Sequence, residues 1–185
     1  MKLHTVGILG GMGPAAGADF VRLFVQACAD HLRASGAPVT DQGYPEHWLA
    51  QLPIPDRSVA LLAPETAEDP FAMMCQGLDK LQAVGAQAVA VACNTAHAWH
   101  GRLQQAYPQL QLLHIARVVA EGLQQQGQAS CMLLATQGTY RIGLYDQPLA
   151  ACSITVHRPQ EADRELVMSG IHQGVRADRQ DQPRA

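Results

Sequence analysis

Short apolar runs alternate with longer amphipathic stretches along the whole chain. Thr5-Val6-Gly7-Ile8-Leu9 reads as a strand and leads into a helix pattern over 14–34, and strand patterns over 47–52 and 88–93 then alternate with helix patterns over 70–84 and 96–106. The alternation resumes with Leu112-Leu113-His114-Ile115, a helix over 117–126, a strand over 130–136, a helix near 140–150, a strand over 152–156 and a helix near 161–176. Such patterning predicts an α/β fold of parallel sheets flanked by helices. The second half echoes the first, because Ala92-Cys93-Asn94-Thr95 and Ala135-Thr136-Gln137-Gly138-Thr139 each carry an apolar run into a turn of small and hydroxyl residues. Two pseudo-symmetric lobes facing one cleft are expected, over residues 1–110 and 111–176, with a polar, frayed tail over 177–185. Ser35 to Glu46 and Leu52 to Asp69, rich in Pro, Gly or acidic residues, read as the long loops.

Composition narrows the class. At 185 residues with 48% hydrophobic and 16% charged, the chain can bury one ordinary core or two small ones. A net charge of -3 without a basic run argues against a nucleic-acid partner, and no apolar stretch reaches the roughly 18 residues of a membrane span. Met1-Lys2-Leu3-His4 enters the first strand without the features of a signal peptide, so a cytoplasmic location is expected. The five cysteines are odd in number, widely spaced and lack a CxxC, which suggests free thiols and neither a disulfide framework nor a zinc ribbon.

The candidate chemistry centres on Cys93, which closes the apolar run Ala88-Val89-Ala90-Val91-Ala92 and opens Cys93-Asn94-Thr95-Ala96-His97. In open α/β sheets ligands bind beyond the carboxyl ends of the strands, so a thiol there can do chemistry. Asn94 and Thr95 would sit at a helix start, whose N–H groups and dipole favour a carboxylate and a thiolate. A small buried core cysteine is the plainer alternative. Gly10-Gly11-Met12-Gly13-Pro14 allows a tight turn before a helix, but it is neither the GxGxxG fingerprint nor a P-loop, which argues against a nucleotide. His97 lies one turn from Cys93, so thiolate activation, metal binding or support of the helix start are all open; no spacing ties His100 and His114 to a metal site. Trp48 and Trp99 read as packing residues.

Gly7-Ile8-Leu9-Gly10-Gly11-Met12-Gly13-Pro14, Ile54-Pro55-Asp56-Arg57, Cys93-Asn94-Thr95-Ala96-His97 and Leu133-Leu134-Ala135-Thr136-Gln137-Gly138-Thr139 together resemble the aspartate/glutamate racemase family in order and spacing, up to about Arg176. The resemblance implies a cofactor-independent amino-acid racemase, usually dimeric, with no pyridoxal phosphate or metal, acting on a small amino acid with an acidic side chain. It also implies one catalytic cysteine from each lobe on opposite faces of the substrate. Cys93 would then be the first-lobe acid/base and Asn94 and Thr95 the carboxylate binders. Met12 would approach the substrate through its backbone, Arg57 would hold the acidic side chain or support the thiolate, and Thr136 and Thr139 would be second-lobe contacts. Gln51 stands where relatives often show Asn or Ser, and Arg176 where aspartate-specific members carry a lysine. Relatives continue past this point into a Gly-Cys-Thr-Glu motif, whereas this sequence ends at Ala185, so an incomplete second lobe and a missing second cysteine are expected. Cys131 begins a strand and Cys152 precedes one, which makes neither a natural replacement. Cys28 and Cys75 fall within amphipathic helices.

Inverting an α-carbon requires one acid/base group on each face of it. A single thiol leaves three readings: an impaired racemase, a one-cysteine enzyme of proton exchange or decarboxylation, and a non-catalytic protein that holds an amino acid or carboxylate. Inversion, exchange without inversion, and binding without exchange tell them apart.

Overall fold

A computed structural model describes residues 5–171. Arg176 and the tail over 177–185 lie outside them. The chain divides into two compact units between His114 and Ile115.

The first unit is built on a parallel sheet in the order β2-β1-β3-β4, with β1 at Val6–Gly10, β2 at His47–Gln51, β3 at Ala88–Val91 and β4 at Gln111–Leu112. Register pairs Gly10 with Gln51, Leu9 with Val91 and Val89 with Leu112, which brings the carboxyl ends of β1, β2 and β3 level. β1 and β3 are covered on both faces, as unbroken apolar sequences in a parallel sheet require. The helices are α1 (Pro14–Ala34), α2 (Arg57–Leu62), α3 (Phe71–Ala83) and α4 (His100–Ala106). Leu9 of β1, Val89 of β3, Met74, Leu78 and Leu81 of α3 and Leu103 of α4 are almost wholly buried in one cluster. Each large side chain of that kind is worth about 1.5–3 kcal/mol on burial.

The stretch from Leu52 to Asp69 is not a plain loop, because Asp56 accepts hydrogen bonds from the N–H groups of Ser58 (2.7 Å) and Val59 (3.1 Å) and so starts α2. The helix pattern over 96–106 opens as a 3-10 segment, Thr95–Trp99, before α4 begins. Trp99 is buried and donates to Asp69, but Trp48 is 46% exposed and does not pack into the core.

The second unit comprises α5 (Ile115–Gln125), β5 (Ser130–Met132), α6 (Gln137–Arg141), α7 (Asp146–Ala151), β6 (Thr155–His157) and α8 (Glu161–Gly170). β5 and β6 pair in parallel, and Ala116, Ala120, Leu144, Leu149 and Ile154 form its core. The single helix read near 140–150 is two, because Gly143 takes a left-handed conformation (φ 58°) that ends α6. No helix among the described residues is long and apolar enough to cross a membrane.

Candidate active site

The site is assembled by the loops that leave the level ends of β1, β2 and β3. In the order β2-β1-β3-β4 the chain leaves β1 toward one side and β3 toward the other, so the loops carrying Met12 and Cys93 flank the switch point where such sheets bind ligands. Gly11 allows the loop after β1 to close on the loop after β2: its φ is +91°, and a Cβ there would lie 1.9 Å from the carbonyl oxygen of Leu52. Beyond β3, the Ala92 N–H donates to Leu9 O (2.9 Å) and the Cys93 N–H to Val91 O (2.8 Å). This tight turn places Cys93 at the strand end, half-buried at the edge of the core cluster.

Arg57 opens α2 and is 7% exposed. Its Nη1 donates to Ile54 O (3.2 Å) and Pro55 O (3.0 Å), and its Nη2 to Met12 O (2.7 Å). Its Nε–H is buried without a hydrogen-bond partner, and among the described residues no carboxylate comes within ion-pair distance of the guanidinium. A buried charge that meets only backbone carbonyls is an incomplete electrostatic arrangement.

Asn94 caps the 3-10 segment without a side-chain capping bond, and Thr95 is buried. The helix expected to begin here opens as a short 3-10 turn, which offers local N–H groups rather than the dipole of a long helix. His97 meets Cys93 through the backbone, with Nδ1 2.9 Å from Cys93 O and 3.2 Å from Asn94 O. Burial, helped by the neighbouring His100, pushes the His97 pKa below its ordinary value against the pull of those backbone bonds. His97, His100 and His114 pack ring to ring at 4.8–6.0 Å between centroids, a cluster that no sequence spacing announced. No group of three or more His, Cys, Asp or Glu among the described residues has metal-binding geometry.

The other expected residues fall as follows. Gln51 ends β2, lies across Gly10 and Gly17, and donates to Pro14 O (3.1 Å), which ties its amide to the start of α1. In the second unit Thr136 caps α6, its hydroxyl 3.1 Å from that of Thr139, which is buried. Cys131 lies inside β5 and Cys152 at the end of α7. Burial pushes up the pKa of Cys28 in α1 and of Cys75 in α3, the character of structural thiols.

Residues 9–184 match the family described as Asp/Glu/Hydantoin racemase. The broad specificity amino-acid racemase RacX of Bacillus subtilis (strain 168) is 27% identical over 147 residues, which is 78% of this chain and 60% of that protein. The chain thus spans less than two thirds of that curated relative. The aspartate racemase of Picrophilus torridus superposes with a TM-score of 0.73 at 28% identity, covering 92% of this chain and 67% of that one. An aspartate racemase homologue from Pyrococcus horikoshii OT3 shares the fold, with a TM-score of 0.67 at 22% identity over 94% of this chain and 71% of that one.

Proposed function

The chain belongs to the Asp/Glu/hydantoin racemase family, and from that premise we propose that Cys93 is the thiol that moves the α-proton of an acidic amino acid, without pyridoxal phosphate or metal. Arg57 carries this reading: a buried guanidinium, with one N–H unpaired and no ion pair among the described residues, holds the Met12 loop at the switch point that the Cys93 loop also borders. An anionic substrate supplies the missing charge.

The substrate α-carboxylate lies at the Asn94–Thr95 turn, where backbone N–H groups and hydroxyl or amide side chains suit it. As the Cys93 thiolate withdraws the α-proton, negative charge moves onto that carboxylate, and fixed donors and the Arg57 charge stabilise it where it forms. A positioned base of this kind supplies about 10²–10⁴-fold. Return of a proton from the same thiol regenerates the starting enantiomer, whereas inversion needs a donor on the opposite face. Cys131 within β5, Cys152 at the end of α7, and Cys28 and Cys75 within helices are poor candidates for that donor. With Cys93 acting on one face alone, exchange of the α-proton outpaces inversion of the carbon.

The test is incubation with L-aspartate or L-glutamate in D₂O, followed by mass spectrometry and chiral separation. Deuterium entering the L-enantiomer ahead of any D-product is expected. Inversion that keeps pace with exchange contradicts the single-thiol account. Binding with no exchange would instead make the chain a carboxylate-binding protein.

A further inference from the structure

His97 meets the backbone that carries and follows the Cys93 thiol. Carbonyl oxygens only accept, so the ring must carry its proton on Nδ1 to bond Cys93 O at 2.9 Å and Asn94 O at 3.2 Å. His100, three residues on, donates from Nε2 to Leu112 O at 3.0 Å. His114, just past β4, packs edge-on against both rings, at 5.3 Å from His97 and 4.8 Å from His100. The histidines thus clamp the segment after β3 to the end of β4. β4 is short, pairing Gln111 with Ala88 and Leu112 with Val89 before the Leu113 N–H donates to Val89 O (2.9 Å), and the His100 bond to Leu112 O ties this strand end to the segment after β3 as well.

We infer that His97 is a positioning residue for the Cys93 thiol. In a trans peptide the C=O and N–H point in opposite directions. A ring that grips the carbonyls of Cys93 and Asn94 therefore aims the N–H groups of Asn94 and Thr95 away from itself, as a pair. It also fixes the peptide plane from which the Cys93 side chain projects. The ring acts through the loop and never touches the substrate. This role rests on the reading of Cys93 as the α-proton base, but the grip on the loop has a readout of its own.

Three variants separate the role from simple packing. His97→Leu removes every ring hydrogen bond, His97→Asn returns an N–H close to the Nδ1 position, and His97→Gln reaches only toward the Nε2 position. Two quantities are measured for each folded variant: the rate of α-deuteration of L-aspartate in D₂O, and the rate of iodoacetamide alkylation of Cys93, located by peptide mapping, from about pH 6 to about pH 10. His97→Leu and His97→Gln are expected to lose about 100-fold in exchange, the usual penalty for a catalytic group displaced by about 1 Å. His97→Asn should regain most of it. The alkylation profile of Cys93 should shift upward in pH for His97→Gln and stay near wild type for His97→Asn. Equal loss in the Asn and Gln variants, or wild-type exchange in folded His97→Leu, overturns the inference. If wild type shows no exchange, the racemase reading fails by itself and the alkylation profiles decide: a shift confined to Leu and Gln supports the grip, and coincident profiles overturn it. If His97→Leu does not fold, the Asn and Gln pair decides.

Discussion

Arg57 donates from Nη2 to the carbonyl oxygen of Met12 at 2.7 Å, which binds the start of α2 to the loop after β1 across 45 residues of sequence. The contact is a charge-assisted hydrogen bond in a buried setting, and such bonds are worth about 1.5–3 kcal/mol. Arg57→Ala is expected to slow α-proton exchange by roughly 10–100-fold at the usual tenfold per 1.4 kcal/mol. Arg57→Lys should recover little of it, because a single ammonium cannot span Ile54, Pro55 and Met12 with the geometry of a planar fork. Exchange kinetics beside a thermal melt of each variant check this, and a lysine variant with full activity would contradict it.

Gly11 is the tightest point of the site. With a φ of +91° and the Leu52 carbonyl where a Cβ would stand, Gly11→Ala combines a disfavoured backbone with a direct clash. A loss of at least about 2 kcal/mol of folding stability is expected. Gly13, around which a Cβ would meet nothing, is the matched control. Urea unfolding of Gly11→Ala and Gly13→Ala should differ sharply, and equal midpoints would mean that the two loops are not in close apposition.

The parallel sheet of the first unit was legible because β1 and β3 are unbroken apolar runs between helix patterns, the mark of strands covered on both faces, whereas their register came only with the structure. The start of α2 was signalled only by Asp56, a good cap before six residues with no clear helical period, and the Pro-rich surroundings outweighed it. Gly143 was visible as a breaker, but the apolar residues on either side of it read through as one helix. Cys93, Asn94 and Thr95 stood out because a polar turn after a buried strand is a local pattern. The burial of Arg57 did not, since a charged side chain is ordinarily exposed and only the meeting of three loops covers this one. The histidine cluster is likewise tertiary, for His114 reaches His97 and His100 only through the pairing of β3 with β4.

His97 gives the molecule an acid-sensitive element. Its pKa is pushed below the ordinary 6.5 by burial and by His100, so the folded ring resists a proton that the unfolded chain accepts. The unfolded state then binds more protons, and stability, complete above the ordinary value, declines as the pH falls from 6.5 toward the folded pKa. The slope from one such group cannot exceed about 1.4 kcal/mol per pH unit. His97→Asn keeps a donor toward Cys93 O but does not titrate, so its unfolding free energy should fall less steeply with acid than that of wild type. Parallel pH profiles for the two proteins would refute this assignment.

In the proposed reaction the sulfur of Cys93 takes the α-proton. The most direct measurement is the rate of deuterium incorporation at Cα of L-aspartate and L-glutamate in D₂O, for wild type and for Cys93→Ser, with folding of both verified by thermal melts. Wild type should exchange well above buffer, and the serine variant, whose hydroxyl is a far weaker acid, should lose about 10²–10⁴-fold, the range a positioned acid/base group supplies. Exchange at the wild-type rate in folded Cys93→Ser would contradict the claim.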